Sequence, residues 1–208
     1  MGERGRPRVL VTGFGSFPGV PANPTEELIA ALRTNHAKDA AFRYEILAVE
    51  YQSVPQRLEA LGHDFAPDIA IHFGVSRNSR AFDVETTARN VVCTVKPDNA
   101  GHVPAEAFVR AGEGPLLSTL PIDAIKRALE MAQLPVALSD DAGDYLCNFI
   151  FYLSRGMHVP PFAPKVAGFI HVPPFDTELS NGERFSLDML KRGAEIIIET
   201  SIARWQDA

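Results

Sequence analysis

The sequence predicts an α/β domain with a largely parallel sheet, and three observations predict it. Short continuous apolar runs, as strands covered on both faces require, alternate along the chain with segments of helical period. Glycine, proline and asparagine punctuate the joints between them. At 208 residues, 46% hydrophobic and 22% charged, the chain has the length and composition of one soluble globular domain that needs no disulfide or metal to hold it.

Arg8 to Thr12 reads as the first strand, broken at Gly13, with residues 1–7 (Arg4 and Arg6 among them) a flexible, solvated tail. Asn23-Pro24-Thr25-Glu26-Glu27 opens a helix, with proline and acids in its first turn, that runs through Leu28, Ile29 and Leu32. Tyr44 to Val49 is a second strand, Val54 to Leu61 a short helix, and Asp68 to Gly74 a third strand. Alternation over Phe82 to Val95 predicts a strand or hairpin ending at the turn Pro97-Asp-Asn-Ala-Gly101, and residues 99–120 read as mostly irregular. Ile122 to Met131 is helical, Pro135 to Ser139 a strand, Tyr145 to Ser154 a helix and Val166 to Val172 a strand. Leu187, Leu190, Ala194, Ile197, Ile198 and Trp205 then fall on one face of a final helix.

A net charge of −6 and a pI near 5.5 argue against nucleic acid or an anionic membrane as partner, since both reward clustered Lys and Arg. No stretch approaches the roughly 18 apolar residues of a membrane span, and no signal peptide is legible, which predicts a cytoplasmic protein. Its two cysteines, Cys93 and Cys147, then read as reduced thiols.

Cys147 stands where a glycine-containing turn runs into an apolar helix, a place whose backbone N–H groups favour a thiolate and can hold an oxyanion. A buried, inert thiol is the competing reading, and Asp140, Asp141 and Asp144 nearby would raise a thiol pKa. Cys93, inside an apolar strand pattern, reads as core. Among the histidines, His36, His63 and His102 read as exposed, His72 as a satisfied core residue, and His158 as a charge suited to a helix end. His171 ends a strand just before Pro173-Pro174, the edge where α/β sheets place their sites, and is the candidate base. No metal-ligand spacing is present. Glu85, an acid in an apolar segment, either orients the histidine or forms a salt bridge with Arg80 or Arg89. Thr12-Gly-Phe-Gly-Ser-Phe-Pro-Gly19 follows a strand as a phosphate loop would, but its glycines miss the dinucleotide spacing. Phe14 and Phe17 suit it to an apolar pocket instead.

Val9-Leu-Val-Thr-Gly-Phe-Gly-Ser-Phe17, Asn23-Pro24, Gly74-Val-Ser76, Glu85 with Ala88 and Asn90, Pro97-Asp-Asn-Ala-Gly101, Leu120-Pro121, Ala142-Gly143, Leu146-Cys-Asn148 with Phe151-Tyr152, and Gly168-Phe-Ile-His-Val-Pro173 lie in one collinear order. In these motifs the chain resembles the pyroglutamyl peptidase I (pyrrolidone-carboxylate peptidase) family of cysteine peptidases over nearly its whole length. The resemblance implies a single three-layer α/β/α domain, residues 1–208, around a twisted mixed sheet. It implies Cys147 as nucleophile, His171 as general base and acid, Glu85 as the group orienting the histidine, and Phe14, Phe17, Tyr145 and Leu146 lining a lactam pocket. The implied reaction removes an N-terminal pyroglutamyl residue from small peptides through a thioester, with no cofactor and no metal. It leaves a homo-oligomer open, since bacterial relatives are often tetramers. The chain departs from the family pattern at Leu47-Ala48, Thr86, Val95-Lys96, Phe149 and the acidic run Ser139 to Asp144. Two other readings keep the same residues: a hydrolase of another cyclic or blocked N-acyl amide, and a catalytically silent binder of such peptides.

Overall fold

Alternation along three central strands sorts the apolar side chains onto two faces of one sheet, and the helices divide between those faces. The computed structural model describes residues 6–33, 40–179 and 181–207; Arg4 and His36 lie outside them. Strands β1 (Arg8–Phe14), β2 (Ala41–Leu47), β3 (Ile69–Val75), β4 (Phe82–Glu85), β7 (Val136–Ser139) and β8 (Val166–Val172) form a sheet of order β2-β1-β3-β8-β4-β7. All neighbours run parallel except β4 and β8. Two short strands, β5 (Thr87–Ala88) and β6 (Leu116–Leu117), pair antiparallel apart from it.

Val9, Val11, Ile69, Ile71, Phe73, Ile170 and Val172 pack with helices α1 (Pro24–Leu32), α3 (Ile122–Met131) and α5 (Leu187–Asp207). The residues between them, Leu10, Ala70, Ala167 and Phe169, pack with α2 (Ser53–Asp64) and α4 (Leu146–Arg155) on the opposite face. Three layers result, each large apolar side chain contributing about 1.5–3 kcal/mol by leaving water. Asn23 caps α1, its side chain accepting from Thr25 N, and Pro24 opens the helix.

The bounds of α3 and β8 fall where the sequence puts them. Elsewhere tertiary contacts move them. β1 continues through Gly13 to Phe14, because both residues still pair with β2. Gly13 is there for space: a Cβ would lie 2.5 Å from the Thr25 carbonyl oxygen of α1. β2 begins at Ala41 and ends at Leu47 rather than spanning Tyr44 to Val49, since its register is set by Arg8 opposite Ala41. The expected strand or hairpin over Phe82 to Val95 is only β4 and β5. Beyond Ala88 the backbone leaves the ladder, and the Asn148 side chain takes its place by accepting from Arg89 N and donating to Arg89 O and Val91 O. Cys93 is therefore buried, as core should be, but in irregular chain, its N–H on Asp144 O. β6 interrupts the span read as irregular. The tail is anchored at its inner end: Pro7 O accepts from Ala41 N, and Arg6 Nη2 donates to Ala40 O at 2.5 Å.

His63 is exposed, whereas His102 is half-buried, edge-on to Tyr51. His158 stacks on Tyr152 beside Glu113, and burial lowers its pKa, which disfavours the charge expected at a helix end. His72 is fully buried between Thr12 Oγ1 at 2.8 Å and Ser154 Oγ at 2.9 Å. Burial pushes its pKa down to about 3. Between that value and the ordinary 6.5 of an unfolded histidine, the unfolded chain binds the proton and the folded one does not. Stability therefore falls as pH drops through that window, by up to about 1.4 kcal/mol per pH unit from this residue. Urea midpoints at pH 6.5, 5.5 and 4.5 are expected to fall more steeply for the wild type than for His72→Gln. Equal slopes would contradict the assignment.

Candidate active site

The sheet register lines up three residues on the face that carries α4. Gly74 of β3 pairs with His171 of β8, and His171 faces Asp83 of β4. Residues opposite one another on neighbouring strands share a face. Glu85, two residues beyond Asp83, shares it as well. Its Oε1 accepts a hydrogen bond from His171 Nδ1 at 2.7 Å. Glu85 is only 1% exposed and His171 8%. The expected alternative, Glu85 in a salt bridge with Arg80 or Arg89, does not occur: Arg89 pairs with Asp141 at 2.8 Å, and Arg80 donates to the carbonyls of Arg77 and Ser79.

Cys147 is the second residue of α4. Tyr145 caps the helix with extended backbone and offers no side-chain acceptor. The N–H groups of Leu146, Cys147 and Asn148 thus keep the free donors and partial positive charge of a helix start. Gly74 makes room for the sulfur. A Cβ there would lie 2.9 Å from Cys147 Sγ and 2.6 Å from Phe169 Cζ. Burial alone disfavours a charged His171 ring. Cys147, through its charge and a hydrogen bond, and Glu85, through the same two effects, outweigh it and push the pKa up to about 10. The ring is held between Cys147 and Glu85, with Nδ1 committed to Glu85 and Nε2 left for the sulfur.

These residues open on a cleft of about 530 Å³. Phe17 and Tyr145 line it, and Lys96 bridges them, its Nζ 5.4 Å from the first ring centroid and 4.2 Å from the second. Tyr145 Oη donates to Pro97 O. Phe14 and Leu146, the other two residues expected at the pocket, are 3% and 1% exposed and lie behind it in the apolar layer of α2 and α4. Of the troublesome aspartates, Asp140 is exposed away from the cleft. Asp141 is neutralised by Arg89 and also accepts from Gly143 N. Asp144 is exposed at the rim.

Two contributors escaped the sequence reading as individual residues. Asn148, fully buried, ties the segment after β5 to the helix that carries Cys147. Its signal was a polar residue on the apolar face of a helix, where an unbonded amide would be costly. Gly74 was visible only as part of a motif, because its role depends on which residue packs over it. No group of His, Cys, Asp and Glu able to hold a metal ion occurs among the described residues, and no described helix is long and apolar enough to cross a membrane.

An α/β sheet that presents a cysteine at a helix start to a carboxylate-held histidine defines a cysteine hydrolase of the acyl-transfer kind. Comparison with known proteins narrows the class. The family model for pyroglutamyl peptidase matches residues 7–204. The pyrrolidone-carboxylate peptidase of Pyrococcus furiosus is 37% identical over 80% of this chain and 80% of its own, and that of Vibrio vulnificus 33% identical over 96% and 95%. The crystal structure of the Pyrococcus furiosus pyrrolidone carboxyl peptidase superimposes with a TM-score of 0.85 at 32% identity, covering 95% of this chain and 99% of that one. The chain belongs to the pyroglutamyl peptidase family.

Overpacking a filled site costs about 1–3 kcal/mol, and a misplacement near 1 Å can cost on the order of a hundredfold in rate. Gly74→Ala is therefore expected to lower kcat on a pyroglutamyl reporter by roughly ten- to a hundredfold while the circular dichroism spectrum is retained. An unchanged kcat would show that the sulfur does not rest on this position.

Proposed function

We propose that Cys147, His171 and Glu85 carry out the family's reaction in this chain, removing an N-terminal pyroglutamyl residue from a peptide. The observation that supports this most is the buried Glu85–His171 contact on the same sheet face as the Cys147 sulfur. The thiolate attacks the pyroglutamyl carbonyl, and the free N–H groups at the start of α4 receive the oxyanion. His171 Nε2 gives its proton to the amide nitrogen, the C–N bond breaks, and a thioester to Cys147 remains. The neutral ring then takes a proton from water, whose oxygen attacks the thioester and returns the thiolate.

The acyl group has to be recognised without an α-ammonium, because pyroglutamate has none. Phe17 and Tyr145 offer flat apolar surface to the lactam ring, and Phe14 and Leu146 support that wall from behind rather than touching the ring. The Lys96 ammonium held over the two rings donates to the lactam carbonyl. The same charge repels the protonated amine of an unblocked residue. A neutral acyl group other than pyroglutamyl would also satisfy a donor at this position.

Cys147→Ala is expected to abolish cleavage of a pyroglutamyl reporter with the fold intact; full activity in that variant would sink the proposal. In the wild type, the pyroglutamyl reporter is expected to be cleaved at least tenfold faster than acetyl-aminoacyl and unblocked prolyl reporters. A preference for the acetyl group would favour the second hydrolase. Sluggish alkylation of Cys147 by iodoacetamide at neutral pH, with no cleavage in any arm, would favour a silent binder.

A further inference from the structure

The cleft has two flanks, and the strand order tells them apart. Phe17 follows β1, and β1 lies beyond β3 from the dyad; Asp83 stands on β4, on the far side of His171. Cys147 and His171 sit between. With the acyl group against the aromatic flank, the leaving peptide must lie toward β4, past the ring that gives it a proton.

The residue waiting there is a carboxylate whose charge is poorly matched. Asp83 is half-buried, lines the cleft and faces His171 in the antiparallel register. Its Oδ2 accepts from the buried Ser79 hydroxyl, which fixes the side chain, and it makes no other hydrogen bond among the described residues. Burial raises its pKa; the Ser79 hydrogen bond lowers it, the Glu85 charge raises it and His171 lowers it, and the sum stays above the ordinary value. Such a group is stabilised by a further cation beside it.

We infer that Asp83 is the leaving-group subsite, a specificity-determining residue that stabilises the positive charge appearing on the departing nitrogen. This rests on the proposed function and adds to it a role for a residue outside the Cys–His–Glu set. In the tetrahedral intermediate the nitrogen carries its amide hydrogen and gains the His171 Nε2 proton, becoming cationic. The C–N electron pair then goes to nitrogen, the carbonyl re-forms as the thioester, and a neutral amine is released. With a pKa near 8, that amine takes a third proton from water at neutral pH. Asp83 accepts hydrogen bonds from the cationic nitrogen before cleavage and from the α-ammonium after it. An aromatic amine is too weakly basic to hold such charge, so its release gains little from Asp83.

The test compares a pyroglutamyl dipeptide with a pyroglutamyl arylamide in the wild type, Asp83→Asn and Asp83→Ser. Asn keeps an acceptor for Ser79, and Ser removes the group altogether. Both variants are expected to lose about tenfold in kcat/KM on the dipeptide and less than about threefold on the arylamide, and to be inhibited less by free peptide product. An equal loss on both substrates, or no loss on either, overturns the inference. An inactive wild type on both substrates would instead count against the parent reaction.

Discussion

A carboxylate at 1% exposure keeps its charge only if something beside it is positive, and for Glu85 that neighbour is His171. Its second oxygen, Oε2, is buried with no partner among the described residues. Removing the proton from the ring would leave a buried anion uncompensated, a situation that costs several kcal/mol in proteins. The pair is therefore more than an orienting hydrogen bond. Together with Cys147, whose charge and hydrogen bond contribute more, it pushes the pKa of the ring up to about 10, and an imidazolium at the start of a helix is a partner that favours a thiolate. In the proposed reaction the proton for the leaving nitrogen depends on this buried contact, while the free N–H groups come from the start of α4, where Tyr145 offers no side-chain acceptor.

That contact is a consequence of sheet topology. β4 is the strand that runs against β8, and this reversal brings the start of β4 to the end of β8. Asp83 thereby lands opposite His171, with Glu85 one pleat deeper and able to reach back. A parallel β4 would have put its last residue, rather than its first turn of side chains, at the cleft. The same period-two alternation sends His72 and Gly74 to the face of α4, where one becomes a neutral, doubly hydrogen-bonded core residue and the other a notch for sulfur. Two histidines on one sheet face thus have their pKa values pushed in opposite directions. His72 has hydroxyls for partners, and His171 has the Glu85 carboxyl and the Cys147 sulfur.

The sequence carried much of this where the signal is local. Periodicity located α3 and β8 to the residue, and Asn23-Pro24 marked the start of α1. Strand ends were less legible, because β1 and β2 stop where their partner stops and not where a glycine falls. The span after Ala88 alternates like a strand yet is not one, since the Asn148 side chain satisfies its backbone in place of a ladder. Cys147 and His171 could be singled out from position, while Glu85 could not be separated from an ordinary salt bridge until register was known. The departures from the family pattern are partly accounted for: Lys96 lies over the pocket aromatics, Phe149 packs edge-on to Tyr51, and Thr86 bonds the Ser139 carbonyl. Asp83 had no sequence signal at all, because its meaning comes from the strand it faces.

The central claim is the charge state of His171 in the resting enzyme, and nitrogen-15 resonances of its ring report it directly. On titration of the wild type, the ring is expected to remain doubly protonated through pH 8 and to lose its proton near 10, with Cys147→Ala bringing that midpoint down. A neutral ring at pH 7, titrating near the ordinary 6.5 in both proteins, would contradict the account.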